Sequence, residues 1–266
     1  MVCLNEVEAT LFVPLLGRIY TSKKFPQIFY DAKAIGLESL LPAKLPEKKG
    51  QTEYTLLAGA IRSANMDYYI ANFLQREPQG IVVELGCGLE TTFYRHNNSG
   101  RAWYGVDLPE VIDYRRKLLP EVAGERYIAA DILQENWLRT IRLEHPVEPL
   151  LFTASGLFYY FSREEVAQLL KRLGHYGPAE IVFDTMNYLG YLLIGHYMKQ
   201  VGHGDTAVYF YVADAKQLAN FVGAQLVEEK VYYEGVEKEG LKLSTRLTMW
   251  GADLLHVAKM IHFKFG

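Results

Sequence analysis

A doubly wound α/β fold with a seven-stranded, mostly parallel sheet is predicted by three features of the sequence. Short β-rich runs alternate with stretches of helical periodicity. One run, Ile81 to Leu85, enters the glycine turn Gly86-Cys87-Gly88, and a carboxylate, Asp107, closes the next. Alternation of this kind calls for βαβ units, because parallel neighbours need a crossover that a helix supplies. With 266 residues, half of them apolar, the chain can bury a sizeable core near the upper size of one domain. A single domain over 1–266 is expected, with a helical N-terminal cap at 1–55 and an insertion at 185–212 over the crevice.

The elements follow in order. Residues 1 to about 60 show mixed helical patterning around Phe12, Ile19, Phe25, Phe29 and Ile35, with a Pro/Lys-rich loop at 41–51. Leu57, Ile61, Tyr68, Ala71 and Leu74 recur at helical spacing, which predicts an amphipathic helix over 56–74 ending before Pro78. Strands are predicted at 81–85, 102–106, 126–129, 150–154 and 180–184. Helices are predicted at 109–119 and 162–173, the second opened by Ser162 and Glu165 at capping-box spacing. After Asp184 a Gly/Tyr/His-rich segment runs to about Val212. A helix at 214–221 and two last strands, 225–233 and 258–265, complete the pattern as a hairpin-like pair.

A net charge of -3 gives no global attraction to nucleic acid or anionic membranes. The basic clusters Lys44, Lys48, Lys49 and Arg115, Arg116, Lys117 are short and interrupted by acids, and both read as solvated faces. Two cysteines, Cys3 and Cys87, cannot build a disulfide framework. The apolar run from Leu11 to Leu16 follows Glu6 and Glu8, lacks a basic leader and is too short to span a bilayer. A cytoplasmic protein is expected, with no membrane, nucleic-acid or metal partner.

The glycine turn carries the functional reading. A buried strand entering it lets backbone approach a ligand where side chains would collide, in the crevice at the carboxyl end of an open sheet. Asp107 follows Gly88 by nineteen residues, near the spacing at which a carboxylate binds a ribose diol, and Asp131 falls where an adenine edge would lie. Asp107 has an alternative as a helix N-cap ahead of Pro109. Charge decides between a dinucleotide and S-adenosyl-L-methionine. A pyrophosphate wants a third glycine and no anion nearby, whereas this turn holds Glu90 or Thr91 there and Glu84 ends the strand. A sulfonium and an ammonium are helped by acids, and the one methionyl carboxylate calls for an arginine. Arg62 is the candidate, its alternative being a surface ion pair with Asp67.

Residues 81–95, with 103–112 and 115–120, resemble the leucine carboxyl methyltransferase family, and within it the tetracenomycin-type polyketide O-methyltransferase branch. Further matches are Arg62-Ser63 with Asp67, 128–133 ending at Trp137, 151–160, and 261–266. The resemblance covers most of 54–266. It implies the class I methyltransferase, Rossmann-like fold, to which a seven-stranded sheet with a late antiparallel pair belongs, and S-adenosyl-L-methionine as methyl donor. Carried over by position, it places Arg62 on the methionyl carboxylate, Gly86 and Gly88 along the methionyl and ribose part, Asp107 and Leu108 at the ribose, and Asp131 and Ile132 at the adenine. One departure stands out. Where the family has Ala-Glu-Gly after the fourth strand, this chain has Ala154-Ser155-Gly156, which removes an acid expected near the ammonium and leaves Glu84 to meet it or the affinity reduced.

The acceptor is expected to be a small organic molecule methylated on a phenolic or carboxylate oxygen. The aromatic segment holding Tyr188, Tyr191, His196, Tyr197, His203, Tyr209, Phe210 and Tyr211 among glycines reads either as a lid or as an ordinary helix and loop packed on the sheet. His203 is the candidate base for a phenol and Tyr160 a second candidate catalytic residue; Tyr159 or Tyr160 could equally line the acceptor pocket. The competing readings are methyl esterification of a protein C-terminus and cofactor binding without turnover.

Overall fold

The computed structural model describes residues 4–41, 52–96, 100–200 and 208–266. Their elements in chain order are α1 (Leu4–Lys24), α2 (Ala32–Gly36), α3 (Glu53–Arg76), β1 (Ile81–Leu85), α4 (Thr92–His96), β2 (Trp103–Asp107), α5 (Pro109–Leu118), β3 (Glu125–Ala129) and α6 (Asn136–Glu144). The second half adds β4 (Leu150–Ala154), α7 (Arg163–His175), β5 (Ala179–Met186), α8 (Tyr188–Gln200), α9 (Ala215–Val222), β6 (Gln225–Val231), α10 (Leu243–Leu254) and β7 (Ala258–Phe265). The seven strands form one sheet in the order β3-β2-β1-β4-β5-β7-β6, parallel except for β7, which runs antiparallel to both neighbours. The order reverses between β1 and β4, the switch point at which open α/β sheets bind ligands.

Strand alternation divides the core between two faces. Val83, Leu85, Phe152 and Phe183 pack with Trp137, Ile141, Leu169, Leu170 and Leu218 from α6, α7 and α9. Val82, Leu151 and Val182 point the other way, onto Leu57, Ile61, Ile70 and Phe73 of α3 and Met249 of α10. Burial on both faces explains why the central strands read as mostly apolar runs, not as an alternation of apolar and polar residues. Phe12, Leu15 and Ile19 of α1 form a third cluster with Leu89 and Leu119, laying the N-terminal helix beside the glycine turn. Helix α7 starts at a capping box in which Ser162 accepts from the Glu165 N–H and Glu165 accepts from the Ser162 N–H.

Two expectations are corrected. The last two strands pair antiparallel, but α10 lies between them in place of a tight turn. Of the two readings of the Gly/Tyr/His-rich segment, the helix is present as α8, and Phe210 beyond it belongs to the core beside Phe158 and Phe183. Arg115 is not on a solvated face: it is fully buried. The expected loop at 41–51 lies, beyond Leu41, outside the described residues, as do Lys44, Lys48 and Lys49. No described helix is long and apolar enough to cross a membrane.

Candidate active site

At the carboxyl end of β1 the chain turns through Gly86 and Gly88, both left-handed (φ 62° and 44°). A side chain at Gly86 would place its Cβ 2.5 Å from Leu157 Cδ1. The turn is tied to the end of β2, where the Asp107 carboxylate accepts from the Gly88 N–H and the Leu108 N–H, each at 2.8 Å. Leu108, partly exposed, is the N-cap of α5, with Pro109 in the first turn. Asp107 therefore stands outside the helix, and the N-cap alternative is set aside. Burial pushes its carboxyl up, while the two backbone N–H groups and Arg115 oppose the shift. The Asp107 carbonyl accepts from the Ala130 N–H, bringing the end of β3 alongside. There Asp131 accepts from the Leu133 N–H at 2.9 Å, and buried Ile132 offers its carbonyl to Trp137 Nε1.

Arg115, dismissed from sequence as a surface charge, braces this turn from beneath. Its Nη1 donates to the carbonyls of Gly88 (3.0 Å) and Glu90 (2.7 Å), its Nη2 meets Glu125 at 3.1 Å, and its guanidinium stacks over the Tyr127 ring. A buried cation with such partners fixes the path of the loop, since each carbonyl would otherwise be left unpaired.

Across the switch point, α3 brings Arg62 to the carboxyl ends of β4 and β5. Its partner is Asp184, with Nη1 3.5 Å from Oδ2, and not Asp67, which is held by Arg95 and His96. Asp184 also accepts from the Gly156 N–H (2.6 Å) and the Tyr159 hydroxyl (2.9 Å). Burial works against the Arg62 charge, yet Asp184, Tyr232 and Tyr159 outweigh it and hold the guanidinium above its ordinary value. A Cβ at Gly156 would fall 2.4 Å from Arg62 Nη1, so only glycine leaves room for the guanidinium. Arg62 Nε and the hydroxyl of Ser155 are both buried without a hydrogen-bond partner.

Glu84 is buried and accepts from Trp103 Nε1 at 3.0 Å; burial pushes its carboxyl up. Together with Glu90, Thr92, Thr153, Ser155 and Ser63 it lines a narrow cavity about the size of one water molecule. Glu90 is ion-paired with the buried Arg18 of α1. Its charge is thus compensated, and the electrostatic argument against a pyrophosphate rests on Glu84 and on the missing third glycine.

Tyr160 sits on a 3-10 turn, Phe158–Tyr160, and is partly exposed. Tyr188, Tyr191 and Tyr211 gather their rings within 5.3–6.1 Å of one another, and the Tyr209 N–H bonds to the Tyr159 carbonyl, so the irregular stretch before α9 passes beside Tyr159. His203, the candidate base, lies outside the described residues, as does the side chain of His196.

Gly86, Gly88, Asp107, Leu108, Asp131 and Ile132 thus gather at the ends of β1–β3, with Arg62, Glu84 and Ser155 around β1, β4 and β5. Sequence reasoning missed Asp184, Arg115 and Arg18. Asp184 carried a usable signal, an acid at the carboxyl end of a strand next to the crevice.

Residues 20–174 match the model of the family described as Leucine carboxyl methyltransferase. The tetracenomycin polyketide synthesis O-methyltransferase TcmP of Streptomyces glaucescens is 28% identical over 185 residues, 69% of this chain and 67% of that protein. The S-adenosyl-L-methionine-dependent methyltransferase dpfgK of Gibberella zeae is 29% identical over 251 residues, 87% of this chain and 84% of its own length. Among solved structures, a putative methyltransferase from Thermobifida fusca superposes with a TM-score of 0.56 at 13% identity, covering 94% of each chain, a likeness of fold.

Proposed function

The chain belongs to the leucine carboxyl methyltransferase family and is an S-adenosyl-L-methionine-dependent methyltransferase, and from that premise we propose that it methylates an oxygen, phenolic or carboxylate, of a small organic acceptor. The observation that carries the reading is the convergence of Arg62, the Gly86–Gly88 turn and the tethered Asp107 on one end of the sheet. The residues fit the cofactor. Arg62 Nε is a buried donor without a protein partner, suited to the methionyl carboxylate, and Asp107 is pinned by two N–H groups in a pose suited to a ribose diol. Asp131 and Ile132 would border the adenine. Ser155 and Glu84 face the remaining polar corner, where the ammonium would meet one acid and a neutral hydroxyl.

The bound cofactor supplies a methyl group already activated by its sulfonium. The protein's share is to hold the two reactants in line and keep water out, which α1 over the turn and the aromatic segment beside Tyr159 and Tyr160 are placed to do. A carboxylate acceptor is ionised near neutrality and needs no base. A phenol, with a pKa of about 10, needs one, and His203 is the residue proposed.

Transfer of labelled methyl followed by alkaline hydrolysis separates the products. An ester releases methanol and an aryl ether keeps its methyl; a product methylated on nitrogen or carbon overturns the oxygen assignment. If an ether forms, His203→Ala lowers kcat about 10²–10⁴-fold; if an ester forms, it changes kcat little. The departure at Ser155 favours a second reading, cofactor binding without turnover. Tight binding of S-adenosyl-L-methionine with no transfer across a panel of phenols and acids would select it.

A further inference from the structure

Helix α10 buries Thr245, Met249 and Ala252 and turns Leu243, Leu247, Trp250 and Leu254 outward, where they are 67%, 58%, 60% and 60% exposed. Steps of four, three and four residues align them in one stripe, the seam spacing of two packed helices. A single exposed leucine is ordinary, but four large side chains in a row form a patch of the kind that marks an interface. The patch does not end with the helix. Leu255 is 55% exposed, and its carbonyl accepts from Asn187 Nδ2 at 2.8 Å, joining this corner to the start of α8, where Leu189, Leu192 and Leu193 are also exposed.

The residues flanking the stripe indicate what covers it. By helical phase Arg246 and Asp253 lie along one side, and Ser244 and Gly251 along the other. When a second copy is laid antiparallel, Leu243 faces Leu254 and Leu247 faces Trp250. Each Arg246 then comes beside Asp253 of the other copy, and the small flank lets the backbones approach. A parallel arrangement sets Arg246 against the Ser244 and Gly251 flank of the other copy, away from its Asp253. Asp253 Oδ1 is committed to the Tyr233 N–H at 2.9 Å, so the arginine meets the other carboxylate oxygen. A lipid surface is a poorer occupant, because Lys242, Arg246 and Asp253 give the helix little cationic excess. We propose that the protein forms a two-fold symmetric dimer through antiparallel packing of α10 against α10 of a second copy. Such an interface is self-complementary, with every contact made twice. A stable dimer buries about 800 Å² per partner, more than one short helix provides, so the contact extends over Leu255 and the exposed leucines of α8.

Sedimentation velocity over a wide concentration range tests the assembly, and oxidative cross-linking tests its direction. The wild type should sediment as a dimer, and Leu247→Glu and Trp250→Glu as monomers with unchanged circular dichroism. The double variant Leu243→Cys/Leu254→Cys should cross-link to an SDS-stable dimer beyond the wild-type baseline, which has Cys3 and Cys87. Leu243→Cys alone should not, because in the antiparallel pair the two copies of that position stand about 16 Å apart. A wild type that is monomeric throughout, including one that instead pellets with anionic vesicles, overturns the proposal. So do dimers that survive both glutamate variants, or ready cross-linking of Leu243→Cys alone.

Discussion

The same two elements, α3 and β5, are joined by an arginine–carboxylate contact at each end, and the two contacts differ in kind. At the amino end of β5, Arg76 grips Glu180 with two bonds, 3.0 and 2.7 Å, while His262 adds a third at 2.8 Å. Burial works against the Glu180 charge, yet His262 and Arg76 draw its carboxyl down to about 2. At the carboxyl end, Arg62 reaches Asp184 through one long contact of 3.5 Å and keeps a buried Nε without a partner. A saturated carboxylate has little capacity left for a ligand and serves the fold. An arginine held charged but only half used is the arrangement a ligand carboxylate completes. The sheet is therefore clamped at one end and left with hydrogen-bonding capacity at the other, on the side where the glycine turn lies.

The largest effect is expected where the functional end borrows the clamping strategy. Arg115→Met strips a fully buried cation from the glycine-turn carbonyls and from Glu125, and should cost about 3–5 kcal/mol in urea unfolding. A loss below about 1 kcal/mol would show that the loop holds its own shape. Next, Asp107→Ala should weaken S-adenosyl-L-methionine by about 1.5–3 kcal/mol in calorimetry while the melting temperature moves little. Unchanged affinity would make Asp107 a mere tether of the turn.

At the clamped end, Glu180→Gln should cost about 1–2 kcal/mol, discounted because Arg76 is half exposed, with cofactor affinity untouched. Its pH dependence has a definite sign. The folded-state pKa lies below the unfolded value of about 4.3, so the stabilisation is fully present above that value and is lost as pH falls towards about 2. Glu180→Gln should flatten that part of the acid-stability curve; an unchanged slope would mean that another carboxylate carries it. The smallest effect is expected from Ser155→Glu, which should tighten the cofactor by about 1 kcal/mol or less if an ammonium approaches Ser155, and loosen it if Glu84 already meets that charge.

Much of this contrast follows from how local each feature is. Strands β1 and β4 were legible to the residue because their mostly apolar runs are bounded by turns, and Asp107 because it stands a fixed distance past a glycine turn. Helix α10 was hidden by apolar residues on both of its faces, and α8 was only one of two readings because Gly190 and Gly195 interrupt its pattern. Arg115 was misread because its neighbours Arg116 and Lys117 are charged. Its burial depends on carbonyls 25 and 27 residues away and on Glu125, contacts without a local pattern. The Arg62–Asp184 contact spans 122 residues, beyond any periodicity.

The central claim, that the half-used arginine at the carboxyl end of the sheet receives the methionyl carboxylate, is tested most directly by titrating two ligands into two proteins. Wild type and Arg62→Ala should each be titrated calorimetrically with S-adenosyl-L-homocysteine and with methylthioadenosine, which lacks the amino-acid carboxylate. The account predicts that Arg62→Ala weakens the first ligand about 10- to 100-fold and leaves the second nearly unchanged. Equal losses for both ligands would contradict it and make Arg62 a structural partner of Asp184, as Arg76 is of Glu180.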